Sequence, residues 1–182
     1  MITEFYENES LTLRAMRKAR LSWGTEIKST SESDLALMEK LVKSGDSHSA
    51  SLRQAVAYFD LVATRGFWQQ FSKYRVGVEM YSESTMHTLR KRTLERCDFS
   101  HNTTQDAINA VNVLISGSAC IETIKSNLPE GFLQKRAVMA SYQALRNMYL
   151  DRKNHKLGEW SIFLSELLQE IAFPSLILSG IL

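Results

Sequence analysis

Proline occurs twice and glycine eight times in 182 residues, which excludes collagen-like and linker-dominated chains. Cysteine is equally scarce. Two residues, Cys97 and Cys120, exclude a disulfide scaffold and make a reducing cytoplasm the expected compartment. Neither sign of charge dominates, since 22 basic residues face 20 acidic ones for a net +2. That balance is too even for a dedicated polyanion binder, so nucleic acid is not an expected partner. No run approaches the roughly 18 apolar residues that span a bilayer, and no membrane association is expected. The opening, Met1 to Glu9, carries Glu4, Glu7 and Glu9, the opposite of a basic signal-peptide start. Internal repeats and low-complexity segments are missing too. What is present is ordinary: 44% hydrophobic and 23% charged residues, enough for one domain over residues 1–182 with its own core.

Short, β-prone Ile2 to Tyr6 reads as a strand. Ser10 is placed to cap a helix over Leu11 to Ser22, and the serine-rich run Thr25 to Asp34 reads as a loop. Asp34 is the expected cap of a second helix, Leu35 to Ser44, ended by Gly45 in the left-handed conformation. Gln54 to Thr64 is rich in strand formers, although a helix also accommodates it. A short helix, Arg65 to Tyr74, a strand, Val76 to Met80, and a basic helix-compatible stretch, Thr85 to Arg96, follow. Thr103 or Thr104 caps a helix expected to continue through Gly117 to Ile124. Leu128-Pro129-Glu130-Gly131 is a turn or the opening of a helix running to about Tyr149. A last helix, about Lys156 to Ile171, is stopped by Pro174. The tail, Phe173 to Leu182, is apolar and expected to pack on the domain or on a neighbouring subunit.

Several chemistries find no support. His48, His87, His101 and His155 show no helical i, i+4 pairing, so no metal site is expected. The cysteines lie in no nucleophile motif and read as buried free thiols. Neither a Walker-type loop nor a dinucleotide fingerprint occurs. Two basic clusters, Arg90-Lys91-Arg92 with Arg96, and Arg152-Lys153 with His155 and Lys156, fit either solvated helix faces or phosphate capture by arginine forks. Gln70, Lys73 and Arg75 lie at a helix-to-strand junction, where polar groups either line a ligand pocket or form a salt-bridged surface.

Taken in order, these pieces resemble the flavin-dependent thymidylate synthases over roughly Leu11 to Ile162. The family's early helix contains an Ala-Arg pair, matched by Ala19-Arg20. Its Gly-His step, which leads into Glu-Ser-x-x-Glu-His, is met by Gly45-Asp46-Ser47-His48, with two residues inserted. The signature Gln-x-x-Arg-His-Arg is met by Gln70 and Arg75, while Lys73 and Tyr74 are substitutions. Where the family has Asn-Glu-x-Ser-x-Arg-Tyr, Ser82-Glu83-Ser84-Thr85-Met86-His87 matches poorly. The arginine expected after the serine is Met86 or His87, and Arg90 or Arg92 from the next turn is the candidate replacement. Glu122, Lys125, Leu128-Pro129, Asn147 and Arg152 fall at family-like spacings, and Glu159-Trp160-Ser161-Ile162 resembles the closing Gln-Trp-Glu-Ile.

The resemblance implies an α/β (α+β) fold, helix-rich with a small central sheet, assembled as a homotetramer with sites at subunit junctions. It implies FAD as cofactor, with NADPH and methylenetetrahydrofolate as co-substrates, and reductive methylation of a dUMP-like pyrimidine deoxynucleotide to thymidylate. His48, Lys73, Tyr74, Arg75 and Asn147 would then contact flavin. Gln70, Ser84, Glu122, Lys125 and Arg152 would serve the nucleotide, with Arg152, Gln70 and Ser84 as the catalytic set. The departures from the motifs are equally compatible with another one-carbon group or another pyrimidine. They also leave open an inactive nucleotide- or protein-binding module on the same scaffold.

Overall fold

The computed structural model describes residues 1–24 and 29–180, so part of the expected Thr25 to Asp34 loop and the last two residues of the tail lie outside the described residues. Strand β1 (Ile2–Glu7) leads into helix α1 (Glu9–Lys18), and a 3-10 turn follows over Ala19–Trp23. Helix α2 (Ser31–Lys43) comes next, then a 3-10 turn at Ala50–Arg53, strand β2 (Val56–Thr64) and helix α3 (Arg65–Phe71). Strand β3 (Val78–Ser82), the single turn α4 (Thr85–Thr88), helix α5 (Gln105–Ser116) and helix α6 (Ile121–Ser126) precede strand β4 (Leu133–Ser141). Helices α7 (Tyr142–Arg152), α8 (Gly158–Glu170) and α9 (Pro174–Leu178) complete the described chain.

The strands form one antiparallel sheet in the order β1-β2-β4-β3. Alternation along β2 sends Ala57, Phe59, Leu61 and Ala63 inward, while Tyr58 stays exposed, the period of a half-buried strand. Helices pack on the inner face around Phe67, Trp68, Phe71, Trp160 and Phe163. These rings meet at centroid separations of 4.6 to 6.0 Å, mostly tilted or edge-on, the arrangements that aromatic quadrupoles favour. A second, smaller core gathers Leu89, Leu94, Phe99, Ile108, Val111, Ile124, Leu128 and Phe132. The helix-rich architecture with one small central sheet agrees with the fold class read from the sequence.

Several local expectations are corrected. The region expected to be helical from Leu128 to Tyr149 is β4 followed by α7; pairing with β2 along its whole length outweighs the helix propensity of its Leu, Lys, Arg and Met residues. Asn8, not Ser10, caps α1, and Thr30, not Asp34, caps α2. The stretch Thr85 to Arg96 is helical only over α4. Of the candidate replacements for the arginine missing after Ser84, Arg92 is clamped by Asp98 at 2.5 and 2.6 Å, and Arg90 donates to the Ala119 carbonyl. Helix α5 stops at Gly117 instead of running through it. Pro174 opens α9 rather than ending the chain's helices, consistent with its favoured place in the first turn. Both cysteines are exposed, not buried. Gly45 does adopt a positive φ of 107° after α2. At Gly77, φ is 72° and a Cβ would collide with the Ser141 side chain; only glycine lets this turn accept β4's backbone so closely.

Asp34 itself is buried within α2 and receives Arg20 Nε at 2.6 Å, Arg17 Nε at 3.1 Å and Ser29 Oγ at 3.0 Å. Burial raises its pKa, but the hydrogen bonds from Arg20, Ser29 and Arg17 outweigh that and the net shift is downward. Because the folded-state value lies below the unfolded one, this contribution is complete above the ordinary carboxylate range and is lost as pH falls through the depressed value. Asp34→Asn should destabilise the protein by about 1 to 2 kcal/mol at neutral pH, since it removes the charge shared by Arg20 and the solvent-reaching Arg17, while Arg20 keeps its bonds to Ser33. Urea unfolding of both proteins from pH 7 to pH 2.5 should show the gap closing at the acid end.

Candidate functional site

The end of α3 and the junction of α7 with α8 meet over Trp160. Its ring is fully buried, and its single polar atom, Nε1, donates to Gln70 Oε1 at 2.9 Å. Tyr74 approaches the same indole edge-on at 6.0 Å. Arg152, in the last turn of α7, donates from Nε to Tyr74 Oη at 2.9 Å, and that hydroxyl donates to Asp151 Oδ2 at 3.1 Å. The guanidinium carbon lies 5.2 Å from the Trp160 ring and 5.7 Å from the Tyr74 ring, within cation–π range. Burial raises the Tyr74 pKa, against the lowering effect of the Arg152 hydrogen bond, and the net direction is up. The phenol is therefore neutral near pH 7 and donates a proton in this chain of hydrogen bonds.

Gln70, Tyr74 and Arg152 thus come together within one chain. Lys73 and Arg75 lie beside Tyr74 in sequence; both are exposed, and among the described residues neither side chain has a hydrogen-bond or ion-pair partner. Among the described residues Arg152 commits only Nε, so both terminal nitrogens remain open to them.

Asn147 belongs to a second cluster, which does not include His48. Gln143, buried on α7, donates through Nε2 to Asp46 Oδ1 at 3.2 Å and to Asn147 Oδ1 at 3.1 Å, while its carbonyl accepts from buried Ser49 Oγ at 3.2 Å. The helical asparagine, costly on propensity alone, is held by its neighbour one turn back. His48 is exposed and lines a cleft of about 450 Å³ with Lys18, Trp23, Leu41 and Gln54.

The remaining expected residues stand apart from both clusters within the chain. Ser84 is exposed at the start of α4, where among the described residues its hydroxyl makes no hydrogen bond and its carbonyl is used by His87, Thr88 and the Thr88 hydroxyl. Glu122 is exposed on α6, and Lys125 is half-buried on the same helix, which packs in the smaller core. Sequence reasoning missed Gln143, Ser49 and Arg136. The first two carry no spacing signal, being united only by the approach of α7 to the turn before β2. Arg136 was hidden in a strand read as a helix. Among the described residues no cluster of histidine, cysteine and carboxylate groups suits a metal ion, and no helix is long and apolar enough to cross a membrane.

No protein-family model matches the chain, and no curated protein does either. Solved structures do match. A flavin-dependent thymidylate synthase from Helicobacter pylori, crystallised with FAD and dUMP, superposes with a TM-score of 0.80 at 16% identity, covering 97% of this chain and 96% of the other. A second structure of the thymidylate synthase from the same organism, also with FAD and dUMP, gives 0.77 at 16% identity, with 98% and 96% covered. The two-way coverage extends the shared fold over essentially the whole domain.

Among the described residues Gln143 is the one side chain joining Asp46, Ser49 and Asn147. Gln143→Met preserves its length but leaves a buried hydroxyl and two surface acceptors without that partner. A loss of about 2 kcal/mol in chemical denaturation is expected, with the helical circular dichroism unchanged.

Proposed function

We propose that the chain is a flavin-dependent enzyme acting on a pyrimidine deoxynucleotide, most simply the reductive methylation of dUMP to thymidylate. The observation that carries this reading is the whole-length fold match to a protein crystallised with FAD and dUMP. The residues present are compatible with such ligands. Unpartnered Lys73 and Arg75 offer cations to phosphates, and the oriented Arg152 offers a free two-nitrogen fork, suited to planar oxygen acceptors.

In this reading Arg152 holds the pyrimidine through its terminal nitrogens. Tyr74 and Trp160 fix the plane of the guanidinium, so that little conformational freedom is lost on binding. A permanent cation beside the ring oxygens favours negative charge developing there, without a proton leaving the protein. Gln70 presents its amide nitrogen beside Arg152, its oxygen being held by Trp160. Lys125 serves the nucleotide phosphate, with Glu122 orienting neighbouring donors, and Ser84 completes the substrate side. His48, Lys73, Tyr74, Arg75 and Asn147 hold the FAD. When bound and reduced by NADPH, the flavin supplies hydride, and methylenetetrahydrofolate supplies the carbon. Because Ser84, Glu122 and Lys125 stand apart from Arg152 within one chain, the complete site joins copies in a homotetramer. A cytoplasmic location fits this chemistry.

A second reading, a binding module without catalysis, is favoured by the exposed Met86 and His87, where the resemblance expects an arginine. Purified protein separates the two. A yellow preparation that bleaches on reduction and releases tritium from carbon-5-labelled dUMP, with NADPH and methylenetetrahydrofolate, fits the enzyme. A colourless protein that cannot be reconstituted with FAD fits the module. Arg152→Ala should lower tritium release by about a hundred- to a thousandfold, in the range seen when a transition-state donor is removed; retained release would assign the pyrimidine elsewhere.

A further inference from the structure

Arg136 occupies a place on β4 where the pattern of the sheet calls for an apolar residue. It pairs across the sheet with Leu61 on one side and Ser82 on the other, continuing the inward row of Val138 and Ala140. Its guanidinium carbon lies 4.6 Å from the centroid of the Trp68 ring. Among the described residues no carboxylate pairs with it. Nε is buried without a hydrogen-bond partner, Nη1 has none, and Nη2 reaches only Gln134 Oε1 at 3.3 Å. Burial lowers its pKa, though an arginine keeps its charge.

A half-buried cation with no counter-charge is an expensive way to finish an apolar row. An arginine kept for structure would be expected to find a carboxylate, and a leucine would fill the row without desolvating a charge. The arginine also opens onto something. It lines a groove of about 340 Å³ with Arg65, Trp68, Gln69, Ser72 and Gln134. Arg65 stands at the same groove, 3.8 Å from the exposed Glu130 carboxylate and bonded to the Leu128 carbonyl. Gln69 Nε2 is shared between the two Glu130 oxygens at 3.2 Å. One carboxylate therefore serves one arginine and one amide, and Arg136 is left over. A guanidinium laid on an indole presents its edge for in-plane recognition of paired oxygens.

We propose that this groove binds an oxyanion of the phosphate class, held chiefly by Arg136 with Arg65 at its flank. The site is separate from the Gln70–Tyr74–Arg152 cluster. Gln70 turns to Trp160 while Gln69, the next residue, turns to Glu130, so the two sites use different sides of α3. The inference does not rest on flavin or pyrimidine chemistry.

The test uses the full chain in phosphate-free buffer at fixed ionic strength. Inorganic phosphate titrated by calorimetry should bind the wild type, and Arg136→Leu should weaken it by about tenfold or more, with Arg136→Lys intermediate and Lys91→Ala unchanged. Without phosphate, Arg136→Leu should melt at or above the wild type. Added phosphate should raise the wild-type melting temperature by clearly more than that of the leucine variant. A dUMP arm distinguishes the sources of the phosphate: displacement of inorganic phosphate by dUMP assigns a nucleotide's phosphate, and no displacement assigns free phosphate or another ester. Arg152→Ala should leave phosphate binding intact, whatever becomes of tritium release. The proposal is overturned if the wild type binds no phosphate, if Arg136→Leu binds it equally well, or if Arg152→Ala removes it.

Discussion

The buried indole of Trp160 is the contact on which both the core and the candidate site depend. Its ring packs among Phe67, Phe71 and Phe163, and so locks α8 against α3. A buried N–H must be satisfied, and the acceptor it finds is Gln70, from the motif that also supplies Tyr74. The same hydrogen bond that completes the core therefore fixes the amide orientation at the surface. Arg152 then rests between the indole and the Tyr74 ring, so packing and site geometry share one residue.

This coupling explains why part of the site was legible in the sequence. Gln70, Tyr74, Arg152 and Trp160 sit on helices or at their ends, where short motifs keep their spacing. Ser84 lies in an exposed single turn with no stripe of buried residues to define it. The expected helix through Leu133 to Ser141 failed for a related reason. Gln134, Lys135 and Arg136 form a polar run that resembles a solvated helix face, and the inward arginine breaks the alternation by which a strand is recognised. Only pairing with β2 on one side and β3 on the other restores that alternation, and pairing is a long-range fact.

Caps and ends show the same limit at smaller scale. Ser10 and Asp34 are both residue types that start helices, yet Asn8 and Thr30 take those places. Asp34 is drawn inward by Arg17 and Arg20 instead, a tertiary contact that outranks its local preference. The glycines divide. Gly45 follows its helix with the positive φ expected of it, whereas Gly117, expected to lie inside a longer helix, halts α5 before a separate short one.

The division of apolar burial into two clusters has a kinetic side. Eight buried side chains hold together the region of α4 to α6, which meets the start of β4 through the Phe99–Phe132 bridge. So small a hydrophobic reservoir is expected to open at lower free energy than the sheet-and-helix body beside it. Amide protons in α5 and α6 thus exchange with solvent as a sub-global unit of their own, while those of β2 and β4 wait for complete unfolding.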